Sequence, residues 1–82
     1  MARQTLPLSL VSAGEIVEFV DIQGHGMLRQ RLAEMGLTPG TVIRVVQSNP
    51  SGPMILAIRQ DTRLAIGRSA AHRVMVCFTG ER

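Results

Sequence analysis

The hydrophobic positions between residues 15 and 22 predict the first strand of the chain. The segment EIVEFVDI is rich in β-branched and aromatic residues and follows a glycine that can supply a turn. Ile16, Phe19 and Ile22 do not alternate with polar residues as strictly as they would in a flat strand. The pattern therefore predicts a strand that is strongly curved or contains a bulge.

The spacing becomes helical at residues 27–35, where apolar side chains recur at Leu28, Leu32 and Met35. This i, i+4, i+7 spacing predicts a helix that buries these three residues along one stripe. Gly36 then stands where a left-handed residue can end the helix. Leu37 follows it at the position that contacts Leu32 in a Schellman motif. The sequence thus predicts both the end of the helix and a leucine contact that closes it.

A tight turn and a second strand follow directly. Pro39 and Gly40 occupy the two central positions that a type II turn requires, and residues 41–47 continue as a valine-rich strand. Gly40 follows Gly14 by 26 positions, and the two glycines place SAGEIVEFV in line with TPGTVIRVV. We interpret this as one turn-and-strand arrangement that is used twice, without a true sequence repeat.

The rest of the chain predicts three more strands. Residues 48–53 form a loop of Ser, Asn, Pro and Gly, and the runs MILAIR and RLAIGR predict a hairpin with its tip near Gln60 and Asp61. Ser69 is predicted to cap a single helical turn through Ala70 and Ala71, before a last strand at residues 73–78. The leucines of LPLSL, near the start, fit either an extended segment or one helical turn.

These elements make a mainly β chain of about five strands, with one α-helix between the first and the second. Closing so few strands into a small β-barrel removes the exposed edges that an open sheet would leave. A length of 82 residues, of which 45% are hydrophobic, is enough for one core. We therefore expect a single domain over residues 1–82.

Composition narrows the classes of function. Cys77 is the only cysteine, so no disulfide can form within the chain, and its thiol suits a reducing compartment. No apolar run reaches the length of a signal segment or a membrane span. We expect a cytoplasmic protein that does not insert into a membrane.

All nine basic residues are arginine, but they are spread along the chain, and only Phe19 and Phe78 could stack on bases. Nucleic acid is therefore not the expected partner.

Catalytic and metal-binding arrangements are weakly represented. No Ser-His-acid pattern, Cys-His pattern or pair of carboxylates suggests an enzyme. His25, His72 and Cys77 are candidate ligands for a divalent ion such as Zn²⁺ or Fe²⁺, but their spacing is not that of a structural site. A surface site shared by two molecules, in a homodimer or small homo-oligomer, would need only two ligands from each. The glycines around His25 could alternatively form nothing more than a turn.

The outward face of the helix is the strongest candidate for binding a partner. An exposed methionine adapts to different surfaces, and arginine pairs with carboxylates or phosphates. The alternative is a solvated face whose arginines only maintain solubility, and composition alone does not separate the two. The candidate residues are those on the outward face and, at its far end, two residues of the turn: Met27, Arg29, Gln30, Arg31, Glu34, Leu37 and Thr38.

The chain resembles the ferrous-iron transport protein A family, FeoA. The most specific part is LRQRLAEMGLTPGTVIRVV, which matches the family's helix, its MGLTPG turn and its valine-rich strand. LVSAGE, Pro53 and RLAIGRSAAHRVMV match further, so the resemblance extends from Leu8 to Phe78. Gln60 and Asp61 stand where many members have a glycine, which leaves the shape of that hairpin tip open.

The resemblance implies an SH3-like β-barrel and a small, cytosolic, non-enzymatic accessory protein that requires no cofactor. Its partner would be FeoB, a membrane transporter of Fe²⁺ with a cytosolic GTP-binding domain, whose transport it would modulate in the activating direction. It also favours a partner surface on or beside the helix.

Two other classes of function stay open. One is a small barrel that binds nucleic acid, and the other is a metal-binding or metal-sensing protein. The same module also forms the carboxy-terminal domain of metal-dependent transcriptional regulators.

Overall fold

The computed structural model describes residues 4–24, 26–59 and 62–79. Within these residues the chain is mainly β, with six strands, two α-helices and one 3-10 turn at Leu8–Leu10. In chain order the α-helices and strands are β1 (Leu6–Pro7), β2 (Ile16–Ile22), α1 (Met27–Glu34), β3 (Val42–Ser48), β4 (Met54–Ala57), β5 (Arg63–Ile66), α2 (Arg68–Arg73) and β6 (Val74–Phe78).

All six strands belong to one antiparallel sheet in the order β1-β6-β2-β3-β4-β5. The mainly β fold with a helix between two long strands is confirmed. The sixth strand arises because Leu6 and Pro7 pair with Val76 and Met75, so the leucine-rich start is an extended pair followed by a 3-10 turn. Neither helix in the described part of the chain is long and apolar enough to cross a membrane.

The predicted cap of the second helical turn is wrong. Helix α2 begins at Arg68, and Gly67 is its N-cap, with no side chain bonded to the free backbone N–H groups. Ser69 is therefore inside the first turn, two residues after the position that could cap it. The helix also runs on to Arg73 and leads directly into β6.

The core lies against the inward face of the sheet and is closed by α1, α2 and the 3-10 turn. Side chains alternate between the two faces along β4 and along β3 as far as Val46, so that Ile43, Val45, Met54 and Leu56 are buried between exposed or half-buried neighbours. No polar or charged side chain is buried within the described residues. The fold is thus held by aliphatic packing, as expected from a chain with few aromatic residues.

Strand β2 contains the irregularity that its sequence predicted. Phe19 pairs with Val76, and the next pair joins Asp21 to Met75, so one residue of β2 is unmatched between them. The unmatched residue is the extra one of a β-bulge, and it shifts the alternation of the side chains by one position. As a result Phe19 and Ile22 both reach the core.

The two turn-and-strand segments identified in the sequence pair with each other in the structure. Strands β2 and β3 are antiparallel neighbours centred on the pair Val17 and Ile43, which are themselves 26 positions apart. A rotation of about 180° about an axis that passes between Val17 and Ile43, perpendicular to the sheet, therefore places one segment on the other.

The hydrogen bonds repeat under the same exchange. The N–H of Gly14 donates to the Val45 carbonyl at 2.7 Å, and the N–H of Gly40 donates to the Phe19 carbonyl at 2.9 Å. Two further bonds run in the opposite direction across the pair. The Val45 N–H donates to the Glu15 carbonyl at 3.0 Å, and the Phe19 N–H donates to the Thr41 carbonyl at 2.8 Å. Gly14 and Gly40 both have φ of +94°, the left-handed conformation that the third position of a type II turn requires.

Candidate partner-binding surface on helix α1

Helix α1 is placed by the local sequence at both of its ends. Gly26 precedes it with φ of +84°, a conformation that suits glycine. At the other end, the Leu37 N–H donates to the Leu32 carbonyl at 2.9 Å and the Gly36 N–H donates to the Ala33 carbonyl at 3.0 Å. These two bonds, with φ of +99° at Gly36, are the predicted Schellman motif. The position and direction of the helix are therefore fixed relative to β3.

Four side chains form the outward stripe of α1. Met27, Gln30, Arg31 and Glu34 follow one another at three- and four-residue steps, which places them on one side of the helix. They line an open depression of about 220 Å³. Met27 is 76% exposed, so a thioether side chain that would be stabilised by burial is left in water. This stripe combines an unburied apolar group with charges of both signs.

The charges on the stripe are available to a partner. Neither the guanidinium of Arg31 nor the carboxylate of Glu34 makes a hydrogen bond or an ion pair with any residue in the described part of the chain. A guanidinium with all its donors in water can form paired hydrogen bonds with an incoming carboxylate or phosphate. Arg31 is therefore the residue of α1 that is best placed for an ionic contact.

Arg29 has a different role from Arg31. Its guanidinium lies 3.2 Å from a carboxylate oxygen of Asp21 and donates to the Ile22 carbonyl, also at 3.2 Å. Both acceptors belong to the end of β2, so Arg29 ties the helix to the strand before it. The side chain remains partly exposed, but both of its terminal nitrogens already contact groups within the protein.

Leu37 is buried, with 1% of its surface exposed, so the expectation that it lies on the outer surface is wrong. The reason is the Schellman motif itself, because the left-handed Gly36 redirects the chain and turns Leu37 toward Leu32 and the core. Met35 is also misplaced, since it is 44% exposed where the helical spacing predicted burial. The helix ends at Glu34, and Met35 no longer continues its buried stripe.

Thr38 is exposed but is engaged in the turn that follows. Its N–H donates to the Thr41 hydroxyl oxygen at 3.2 Å, and the two hydroxyls are 3.3 Å apart. The Thr41 hydroxyl in turn donates to the Gly36 carbonyl at 3.2 Å. Thr38 thus helps to connect the helix end to β3. Its hydroxyl is already hydrogen-bonded within the protein and is less available to a partner than the side chains of the stripe.

Two of the three candidate metal ligands, His72 and Cys77, lie in the described part of the chain, and they differ in exposure. Cys77 is 1% exposed on β6, so the expectation of a surface thiol is wrong. His72 is exposed on α2, with its Nδ1 3.1 Å from the Ser9 hydroxyl, and His25 lies outside the described residues. Among the described residues no three His, Cys, Asp or Glu side chains come together as a metal site would need.

Sequence reasoning missed two features that depend on distant parts of the chain. Ser9 and His72 are 63 positions apart and meet because α2 packs on the 3-10 turn. The other is the outward face of the sheet, where Ile16 and Val42 are exposed beside arginines of β3 and β5. Alternation within the segment VIRVV could have indicated that Val42 and Arg44 share a face, but not which neighbours they meet.

Comparison with known proteins identifies the family. A family model described as the FeoA domain matches residues 6–77. A protein of Methanocaldococcus jannaschii, provisionally named Fe(2+) transport protein A, is 34% identical over 70 residues, which cover 85% of this chain and 83% of that protein.

Solved structures agree with the match. The crystal structure of an iron uptake regulatory protein, FeoA, has a TM-score of 0.81 and 43% identity, covering 90% of this chain and 97% of that one. A manganese-dependent transcriptional repressor has a TM-score of 0.84 at 18% identity, covering 95% of this chain but 44% of its own, and shows the fold alone. The six-stranded sheet matches the small SH3-like barrels of the FeoA structures. On these grounds the chain belongs to the FeoA family.

Proposed function

We propose that this protein is a cytoplasmic, non-enzymatic accessory factor of bacterial ferrous-iron uptake. It binds the cytosolic part of a FeoB-type membrane GTPase and modulates Fe²⁺ transport in the activating direction. Membership of the FeoA family supports the link to iron transport, as does the name of the M. jannaschii relative. The observation that carries the proposal is the outward stripe of α1, where exposed Met27 adjoins the unengaged guanidinium of Arg31.

The stripe can recognise a partner by two physical effects. Burying the Met27 side chain removes apolar surface from water, and its flexible thioether can fit an irregular partner surface. Arg31 would then pair with a carboxylate of the partner at the edge of the contact, which gives orientation and speeds association more than it adds affinity. The Schellman motif at Gly36 holds the helix that carries both side chains in a fixed position beside β3.

The proposed role requires no catalytic group and no bound cofactor. The contact between Ser9 and His72 is the nearest arrangement to a nucleophile and its base. No carboxylate within the described residues bonds to the His72 ring to orient it, as a catalytic triad would require. We therefore assign this exposed pair a structural role in joining α2 to the 3-10 turn.

The first prediction tests the stripe directly. Met27→Asp and Arg31→Glu should each weaken binding to the isolated cytosolic GTP-binding domain of the transporter by about tenfold or more, because each removes a central contact. Both side chains are exposed, so the variants should remain folded. Titration of the domain with labelled protein provides the measurement. Leu10→Asp is the matched control, since it places the same acid at an exposed apolar position beside α2. Unchanged binding by both α1 variants would remove the helix from the proposal.

A further inference from the structure

A second surface, distinct from the stripe on α1, lies on the outward face of the sheet. We call it the sheet-face patch. Its side chains point outward from neighbouring strands or, in one case, from just beyond the end of a strand. Together they line an open depression of about 460 Å³. They are Ile16, Val42, Arg44, Ala57, Arg59 and Arg63.

The register of the strands creates this depression. Ile16 pairs with Arg44, Arg44 with Ala57, and Ala57 with Arg63, so one straight row crosses β2, β3, β4 and β5. Two long arginine side chains therefore stand on either side of a single methyl group. The small side chain of Ala57 leaves a hollow between them, with aliphatic atoms at its base.

Two aliphatic side chains are exposed at the base of the patch. Ile16 is 45% exposed and Val42 is 54% exposed. They are diagonal neighbours on the same face of β2 and β3, because Val42 is two residues before Arg44, the partner of Ile16. A second depression of about 340 Å³ adjoins the first along Arg44 and Arg63 and adds Val46 to the exposed aliphatic surface. Exposed aliphatic side chains thus stand on both sides of Arg44 along β3, and an apolar side chain of a partner would be stabilised by covering them.

The patch carries three arginines, and none of them forms an ion pair in the described part of the chain. The guanidinium groups of Arg44, Arg59 and Arg63 form no hydrogen bond or ion pair with any described residue. Glu18 is opposite Val42 and is already engaged in a contact, and a Glu15 carboxylate oxygen accepts from the Ser12 N–H at 3.2 Å. Asp61 lies outside the described residues. Three guanidinium groups therefore surround the apolar base with their donors in water.

This combination restricts the occupant. A second copy bound through the same face would bring three arginines against three arginines, which is repulsive. Nucleic acid would find guanidinium groups for its phosphates but no aromatic ring for its bases, because the patch contains none. A peptide that alternates carboxylates with aliphatic side chains satisfies both features of the patch. We infer that the sheet-face patch binds an acidic, amphipathic peptide segment of a partner protein.

The test uses a synthetic peptide of alternating glutamate and leucine, titrated into ¹⁵N-labelled protein. The amides of Ile16, Val42, Arg44, Ala57 and Arg63 should shift together, while those of α1 should not. Arg44→Glu and Arg63→Glu should each raise the dissociation constant of this peptide by about tenfold, and Val42→Ser should raise it several-fold. Arg31→Glu is the matched control, because it makes the same change of charge on α1 and should leave the peptide's binding unchanged.

Several outcomes would overturn the inference. Equal binding of a peptide of alternating glutamate and serine would show that the aliphatic base has no role, and equal weakening by Arg31→Glu would show a non-specific charge effect. Preferential binding of oligothymidine, with an affinity that falls steeply with salt, would make the patch a nucleic-acid surface. Shifts of the same amides on raising the protein concentration alone would make it a self-contact. Because the probe contains no transporter, these results do not depend on the role proposed for α1.

Discussion

Replacing Leu37 with alanine should lower the free energy of unfolding by about 3 kcal/mol, within the usual range of about 2–5 for a buried leucine. The side chain is fully buried, and its contact with the helix end accompanies the two hydrogen bonds of the Schellman motif. Truncation would leave a cavity between α1 and the start of β3. Because a chain of this size has a small net stability, such a loss would be a large part of the whole.

Urea unfolding followed by circular dichroism would measure this change, with Met35→Ala as the control. Met35 is two residues away but is exposed, so its truncation should cost less than about 1 kcal/mol. The comparison also separates the two roles considered for Leu37. If Leu37→Ala kept full stability and lost only partner binding, then Leu37 would be a contact residue and its burial in the free protein would be misleading.

The end of α1 shows what local sequence can and cannot predict. The segment EMGL predicted the Schellman motif because every group in it lies within six residues. The outward position assigned to Leu37 failed because it extended the helix face past the residue that ends the helix. The predicted contact between Leu37 and Leu32 already required Leu37 to point inward, so the motif itself held the correct answer.

Features that depend on register were beyond the sequence. Alternation in β3 indicated that Val42 and Arg44 share a face, but the partners of Arg44 on either side depend on how β2 and β4 align with it. The alignment of β3 with β4 includes an irregularity between Val45 and Gln47 of β3. A shift of one residue would reverse every side chain. The sheet-face patch could therefore be found only from the structure.

The candidate site on α1 was predicted more fully, because a helix face is defined by local spacing. Met27, Gln30, Arg31 and Glu34 lie together as expected. Arg29 was expected on the same face, and only the structure shows its guanidinium bound to Asp21 and Ile22. The difference depends on where β2 ends relative to the helix, which no pattern within α1 could show.

The paired turns lead to the second prediction with a large effect. Gly14→Ala and Gly40→Ala should each lower the free energy of unfolding by about 1–2 kcal/mol, and by similar amounts. Beyond the two chain neighbours of each glycine, no atom of the described residues lies within 4 Å of the position that either new methyl group would occupy. Crowding by neighbours is therefore excluded, and the cost is the strain of holding alanine at φ of +94°.

The equality of the two effects tests the symmetry of the β2–β3 pair. Each glycine donates its N–H across the pair and stands at one end of it, so the two sites experience the same constraint. They are separated by about five strand residues, or about 16 Å at ~3.3 Å per residue. Changes so far apart should be additive, and the double variant should lose about 2–4 kcal/mol.

Chemical denaturation of the two single variants and the double variant would measure these losses. Gly67→Ala is the matched control, because Gly67 also has open space around it but has φ of −68°, which alanine adopts without strain. Its stability should be unchanged or slightly higher. A loss at Gly40 several times that at Gly14 would mean that the turn after α1 depends on constraints which the first turn lacks. In that case SAGE and TPGT would share a backbone conformation but would not contribute equally to stability. The two ends of the β2–β3 pair would then differ in how much they hold the helix in place.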